Sequence, residues 1–207
     1  MKEKLDKQRA RDRIVRAHIK ALTTWKKTMG PDGQWSKEGR TIRQEYDSRG
    51  NIAHIVAFRN DTLSEQAAYT YGDAGDLLTD TDLTSTGDTI QVERYSYDSM
   101  GRVLSGRAYD GARRLVSSFV YEYRSDRRSI TFRKFKSDGS FDYSIDFDYT
   151  KEFDISDYAG AVKKDSSGAP VLRVAVRFDG EGRMIRKDVM QEGSRLSFSY
   201  EYQYAPG

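Results

Sequence analysis

Two hydrophobic periods divide this chain. From Glu3 to Met29 apolar and aromatic positions recur at three- and four-residue steps, with Ile14, Ala17, His18, Ala21, Leu22, Trp25 and Met29 on one stripe and Lys or Arg opposite. That spacing predicts an amphipathic helix over 3–29. Gly30-Pro31-Asp32-Gly33 should stop it, because proline cannot continue a helix. From Arg40 onward the period falls to two. Leu196, Phe198, Tyr200, Tyr202 and Tyr204 alternate with Ser197, Ser199, Glu201 and Gln203, and Phe141, Tyr143, Ile145, Phe147 and Tyr149 alternate with Asp142, Ser144, Asp146 and Asp148. Leu172–Phe178, Leu115–Tyr123 and Ala67–Tyr71 repeat the design. Each reads as a strand with one apolar and one polar face.

An aromatic closes these strands at a fixed interval. Tyr46, Tyr71, Tyr97, Tyr123 and Tyr149 are spaced by 25, 26, 26 and 26, then Phe178 and Tyr204 by 29 and 26. A period in this range means stacked supersecondary units. Three of these aromatics open the same turn, Tyr46-Asp47-Ser48-Arg49-Gly50, Tyr97-Asp98-Ser99-Met100-Gly101 and Phe178-Asp179-Gly180-Glu181-Gly182. Interleaved with them are Gly87-Asp88, Asp110-Gly111, Asp138-Gly139, Ser167-Gly168 and Glu192-Gly193, where glycine supplies the positive φ of a hairpin loop. Each unit is therefore two strands and two tight turns. The rhythm breaks over 151–170, where Lys163–Pro170 reads as the longest polar loop. The drifted stretch 123–170 is the first place to look for specificity.

Tyr97-Asp98-Ser99-Met100-Gly101-Arg102-Val103 resembles the YD repeat of RHS-type proteins, roughly Y-D-x-x-G-R-L, as do Tyr46–Ile52 and Phe178–Met184; Tyr71–Leu77 is a looser version. The resemblance implies a hairpin array over about residues 40–204 and an exported bacterial setting. The expected fold is mainly β. It is a long twisted antiparallel meander of about 11–13 strands curling into an open half-barrel or roll. One N-terminal amphipathic α-helix should lie on the concave face with Trp25 buried. The expected organisation is a helix and turn over 1–33 and a repeat domain over 34–207, a single domain overall.

Composition narrows the chemistry. Charged residues reach 32% and hydrophobic ones 37%, so the 14 tyrosines must supply much of the apolar surface; a tyrosine ring packs while its hydroxyl stays wet. With no cysteine, disulfides and thiolate zinc sites are excluded. No run approaches the roughly 18 apolar residues of a membrane helix. Residues 1–31 carry a net +7, so the rest of this +3 chain carries −4. The basic arm reads as a structural helix rather than a nucleic-acid contact.

The chain has two histidines, His18 and His54, and neither has a partner at ligand or triad spacing. No phosphate loop or nucleophile elbow is present. Asp142, Asp146 and Asp148 form a carboxylate ladder, read as a solvated face paired with neighbouring bases such as Arg133 or Lys134. These features point to a non-enzymatic bacterial cell-envelope protein, periplasmic or exported, that binds or scaffolds a protein or glycan without a cofactor. Its export signal, or a lipid anchor, would lie outside this sequence. The alternative is a periplasmic carrier holding a lipid or other apolar ligand in the concave face. The residues expected to contact a ligand are Tyr143, Phe147, Tyr200 and Tyr202.

Overall fold

The computed structural model describes residues 2–27, 29, 31–36, 39–124, 129–149, 158–181, 183–193 and 197–204, with side chains from Gln8 onward. Leu196, Gly182 and residues 151–157, which figured in the sequence reading, lie outside them. Helix α1 (Lys2–Arg16) is followed by β1 (Ala21–Lys26), β2 (Gly39–Tyr46), β3 (Ile52–Arg59), β4 (Thr62–Tyr71), β5 (Leu77–Leu83), β6 (Thr89–Tyr97) and β7 (Val103–Asp110). Then come β8 (Leu115–Tyr123), β9 (Ser129–Lys136), β10 (Phe141–Tyr149), β11 (Tyr158–Lys164), β12 (Pro170–Phe178), β13 (Met184–Gln191) and β14 (Ser197–Glu201). The fold is mainly β. Among the described residues fourteen strands form one sheet in sequence order with β1 and β14 at its ends, a meander that does not close into a barrel. Tyr46, Tyr71, Tyr97, Tyr123, Tyr149 and Phe178 are the last residues of β2, β4, β6, β8, β10 and β12.

The chain divides into two compact units, Met1–Ser96 with Ala108–Leu115, and Tyr97–Arg107 with Val116–Gly207. Burial is shallow in each. Among the described residues the buried apolar side chains are Val56 and Ala108 in the first unit and Ile130, Tyr149 and Val176 in the second, and none is fully enclosed.

The helix is shorter than its stripe predicts, and residues 21–26 form a strand instead. Ile19 N–H donates to the Ile14 carbonyl (3.0 Å) and His18 N–H to that of Val15 (3.1 Å), while His18 takes a φ of 51°. This is a Schellman stop with His18 in the left-handed position. Beyond it Thr23, Thr24 and Trp25 favour extended backbone, and β1 pairs with β2 from Ala21↔Glu45 to Lys26↔Gly39. Pro31–Gly33 then belongs to the β1–β2 connection, bracketed by a Met29↔Trp35 bridge. The expected burial of Trp25 is overturned. Its side chain is 51% exposed with the Arg40 guanidinium 5.9 Å from the ring centre.

The helix also docks elsewhere than on a sheet face. It sits on the first two YD-type turns, where a Cβ at Gly50 would lie 2.7 Å from the Arg11 carbonyl oxygen and one at Gly75 would lie 2.8 Å from Arg11 Nη1. Arg11 Nη1 donates to buried Asn51 Oδ1 (2.9 Å).

Two turns differ from expectation, and a third closes without the glycine that marks the others. In the β7–β8 turn the positive φ of 63° belongs to Arg113 and not to Gly111. Left-handed backbone costs a side-chain-bearing residue about 1–2 kcal/mol, so Arg113→Gly should stabilise the protein by roughly 1 kcal/mol. A urea midpoint that stays put or falls would contradict this. The β3–β4 hairpin closes through Asn60 and Asp61, with φ of 51° and 60°, a two-residue type I′ turn without glycine. Lys163–Pro170 is no long loop. Lys164 ends β11, and Asp165 N–H donates to the Ala169 carbonyl (2.9 Å) while Gly168 N–H donates to that of Asp165 (3.0 Å), which makes a tight turn.

Candidate functional site

The repeated motif builds the same bonded set at two of its turns. Asp98 N–H donates to the Arg102 carbonyl and Gly101 N–H to that of Asp98, both at 2.9 Å. Asp98 Oδ1 accepts from the amides of Met100 and Arg102, and Oδ2 accepts from the Arg102 side chain at 2.6 Å. The Arg102 guanidinium lies 4.2 Å from the centre of the Tyr123 ring, whose hydroxyl donates to the Val103 carbonyl (2.9 Å). Asp179, Arg183, Tyr204 and Met184 repeat the set, with the cation 4.9 Å from the ring and the hydroxyl bond at 2.8 Å.

At the first turn Asn51 stands where the motif has arginine. Its Nδ2 donates to Asp47 Oδ2, Tyr71 donates to the Ile52 carbonyl, and α1 delivers Arg11 to Asn51. The helix docks where the repeat lacks its own cation.

Hydrogen bonds from the following arginine amides hold Asp98, Asp110 and Asp179 below the usual carboxylate range. These turns are therefore firmest above that range and loosen as pH falls through the depressed values.

In the second unit the tyrosine-bearing face carries an aromatic ladder. Phe119 and Tyr121 on β8 meet Phe132 on β9 at 5.5 and 5.2 Å between ring centres, and Phe132 meets Tyr143 on β10 at 5.9 Å. Phe147 lies 6.5 Å from Tyr149 and 6.4 Å from Tyr158. Burial pushes the Tyr121 and Tyr123 hydroxyls up and takes that of Tyr149 to about 12. Tyr143 is flanked by two ammonium groups, Lys163 Nζ at 4.2 Å and Lys134 Nζ at 5.9 Å from its centre, both within cation–π range.

The four sequence-predicted residues do not converge. Tyr143 and Phe147 share β10, whereas Tyr200, 52% exposed on β14, and Tyr202, 43% exposed just past it, lie at the sheet's end. Three strands intervene, a separation of roughly 19 Å at the usual strand spacing.

The opposite face of the second unit pairs its charges. Asp146 accepts from Thr131 Oγ1 (2.7 Å) and meets Lys164 Nζ (2.8 Å). Burial raises its carboxyl, but those two partners outweigh it and the net shift is downward. Arg133 meets Glu122 (3.1 Å), and Arg186 meets Asp188 (2.8 Å). Of the carboxylate ladder, Asp146 is thus paired, with Lys164 and Thr131 and not with Arg133 or Lys134. Lys134 belongs to the tyrosine face, a placement the two-residue step from Phe132 already encodes. An open hollow of about 710 Å³ on this side is lined by Glu122, Arg133, Asp146 and Lys164 among others.

His54 Nδ1 lies 3.7 Å from Glu45 Oε2 across β2 and β3, and His18 ends the helix. Among the described residues, no three His, Asp or Glu side chains are grouped to hold a metal ion, and no helix is long and apolar enough to cross a membrane.

Residues 20–167 match a family model described as "Uncharacterised protein". No curated protein matches the sequence. Among solved structures, a porin-like protein from Bacteroides uniformis aligns over 87% of this chain and 94% of its own at 12% identity and a TM-score of 0.41. One from Bacteroides vulgatus aligns over 90% and 97% at 11% identity and 0.37. TcdB2-TccC3 without its hypervariable C-terminal region aligns over 87% of this chain but 14% of its own, at 10% identity and 0.26.

Proposed function

This chain belongs to the family whose model spans residues 20–167, and we propose that it is a non-enzymatic scaffold of the bacterial envelope that binds protein or glycan across its sheet. The observation that carries this reading is a tyrosine face left open. No side chain among the described residues is fully enclosed, and Phe198, Tyr200, Tyr202 and Tyr204 are 43–53% exposed together at one end. Aromatic faces of this kind offer large, rigid contact area at low entropic cost. The likeness of the turns to YD repeats supports the exported setting. The polar hollow, lined by ionic side chains, suits water better than a lipid tail, so a carrier of apolar ligands has less support.

Sedimentation with purified peptidoglycan sacculi tests the binding reading. Retention of the protein is expected, falling about tenfold for a Tyr200→Ala/Tyr202→Ala variant, since aromatic anchors dominate such contacts. Failure to co-sediment, together with cytoplasmic recovery of the full-length gene product, would overturn it.

A further inference from the structure

The tyrosine-bearing face has opposite charge in the two units. In the first, alternation and register place Glu65, Asp80, Asp82 and Glu93 on the face of Tyr69, through the pairs Ala67↔Asp82, Tyr69↔Asp80 and Asp80↔Glu93. Asp82 and Glu65 are exposed. Asp80 is half-buried, one of its oxygens has no hydrogen-bond partner, and burial followed by Asp82 and Glu93 pushes its carboxyl up. In the second unit the same face carries Lys134, Lys163 and Lys187, the last paired with Tyr200, and register places no described carboxylate of β8–β14 there. Like charges opposite one another in a sheet are unfavourable. Elsewhere this chain pairs its charges, as Asp146 with Lys164.

We propose that the acidic tyrosine face of the first unit docks on the basic tyrosine face of the second unit of another copy of this chain. The contact pairs unlike surfaces of two copies, so association depends on their opposite charge. This deepens the scaffold reading and rests on it, with the protein partner being the chain itself. Five strands of the first unit and six of the second present roughly 600–750 Å² each at ordinary strand spacing and rise, close to the ~800 Å² per partner of a stable interface.

Charge swapping tests it by analytical ultracentrifugation of the purified chain. At about 20 mM salt the wild type should associate with rising concentration, and about 0.5 M salt should dissociate it, because screening then acts within a few ångströms. Glu65→Lys/Asp82→Lys cancels the charge of the acidic face and leaves the other basic, whereas Lys163→Glu/Lys187→Glu turns the basic face acidic and leaves the first as it is. Each variant alone should be monomeric, with self-affinity at least tenfold weaker, and an equimolar mixture should assemble. Circular dichroism confirms folding, and the neutral variants Asp82→Asn and Lys187→Gln replace any that fail. A wild type monomeric at low salt, a mixture that stays monomeric, or variants that self-associate like the wild type would overturn the proposal. Sacculus binding is read separately, so its result stands whichever way this one falls.

Discussion

Gly50→Ala is expected to weaken the fold by about 3 kcal/mol and to release α1 from the first turn. Gly50 has a φ of 77°, and a Cβ there would stand 2.7 Å from the Arg11 carbonyl oxygen and 3.0 Å from Val15 Cγ2. Left-handed backbone costs alanine about 1–2 kcal/mol, and relieving a clash against helix backbone costs about 1–3 more. The loss should appear as a lower urea midpoint with a small change in slope, and as faster proteolysis within residues 8–16. Stability within about 0.5 kcal/mol of wild type, with protection of α1 unchanged, would mean that the helix does not depend on this seat.

Tyr149→Ala should cost about 3–5 kcal/mol, the range for truncating a buried aromatic. Tyr149 ends β10 at 6% exposure, 6.5 Å from Phe147. The wild type carries a second signature. Burial raises its hydroxyl from an ordinary value near 10 to about 12, with smaller contributions from Tyr121 and Tyr123. The folded state therefore holds this proton longer than the unfolded chain does. Its stabilisation is fully present below pH 10 and drains away as pH rises towards 12. Phenolate absorbance followed with unfolding at each pH should show, among several tyrosines raised by burial, a last one titrating towards 12 in the wild type that is lost in Tyr149→Phe. A wild type whose tyrosines all ionise near 10 would refute the burial argument.

Much of the architecture was legible because tyrosine does two local jobs at once. Its phase marks the apolar face and its interval of about 26 residues marks the strand's end, with a following Asp at three of the turns, and six of the seven periodic aromatics fall on a strand's last residue. Non-local choices were not legible. The stripe through Ala21, Leu22 and Trp25 fits a helix as well as a strand, and the outcome is decided by β2, which offers Ala21 and Lys26 partners. Arg113 and the Asn60-Asp61 pair adopt positive φ that glycine elsewhere advertises. Lys134 could be put on the correct face from Phe132 alone, but its counterpart Lys163 meets Tyr143 only through the β10–β11 register, beyond residues 151–157. The opposed charges of the two tyrosine faces likewise emerge only when strands far apart in sequence are set side by side.

The hydroxyl bonds from Tyr71 to the Ile52 carbonyl, Tyr123 to Val103 and Tyr204 to Met184, each to the carbonyl that follows the previous turn, span 19 or 20 residues. Each of these three fastenings is therefore between neighbouring modules. A gene for such a protein can lengthen or shorten by one copy of the 26-residue module without disturbing any other join, as strands can be knitted on or unravelled at a single row. Length is then a variable this fold can tolerate, whereas the first module, fastened by Arg11 instead of an arginine of its own, cannot be moved or lost without taking the helix with it.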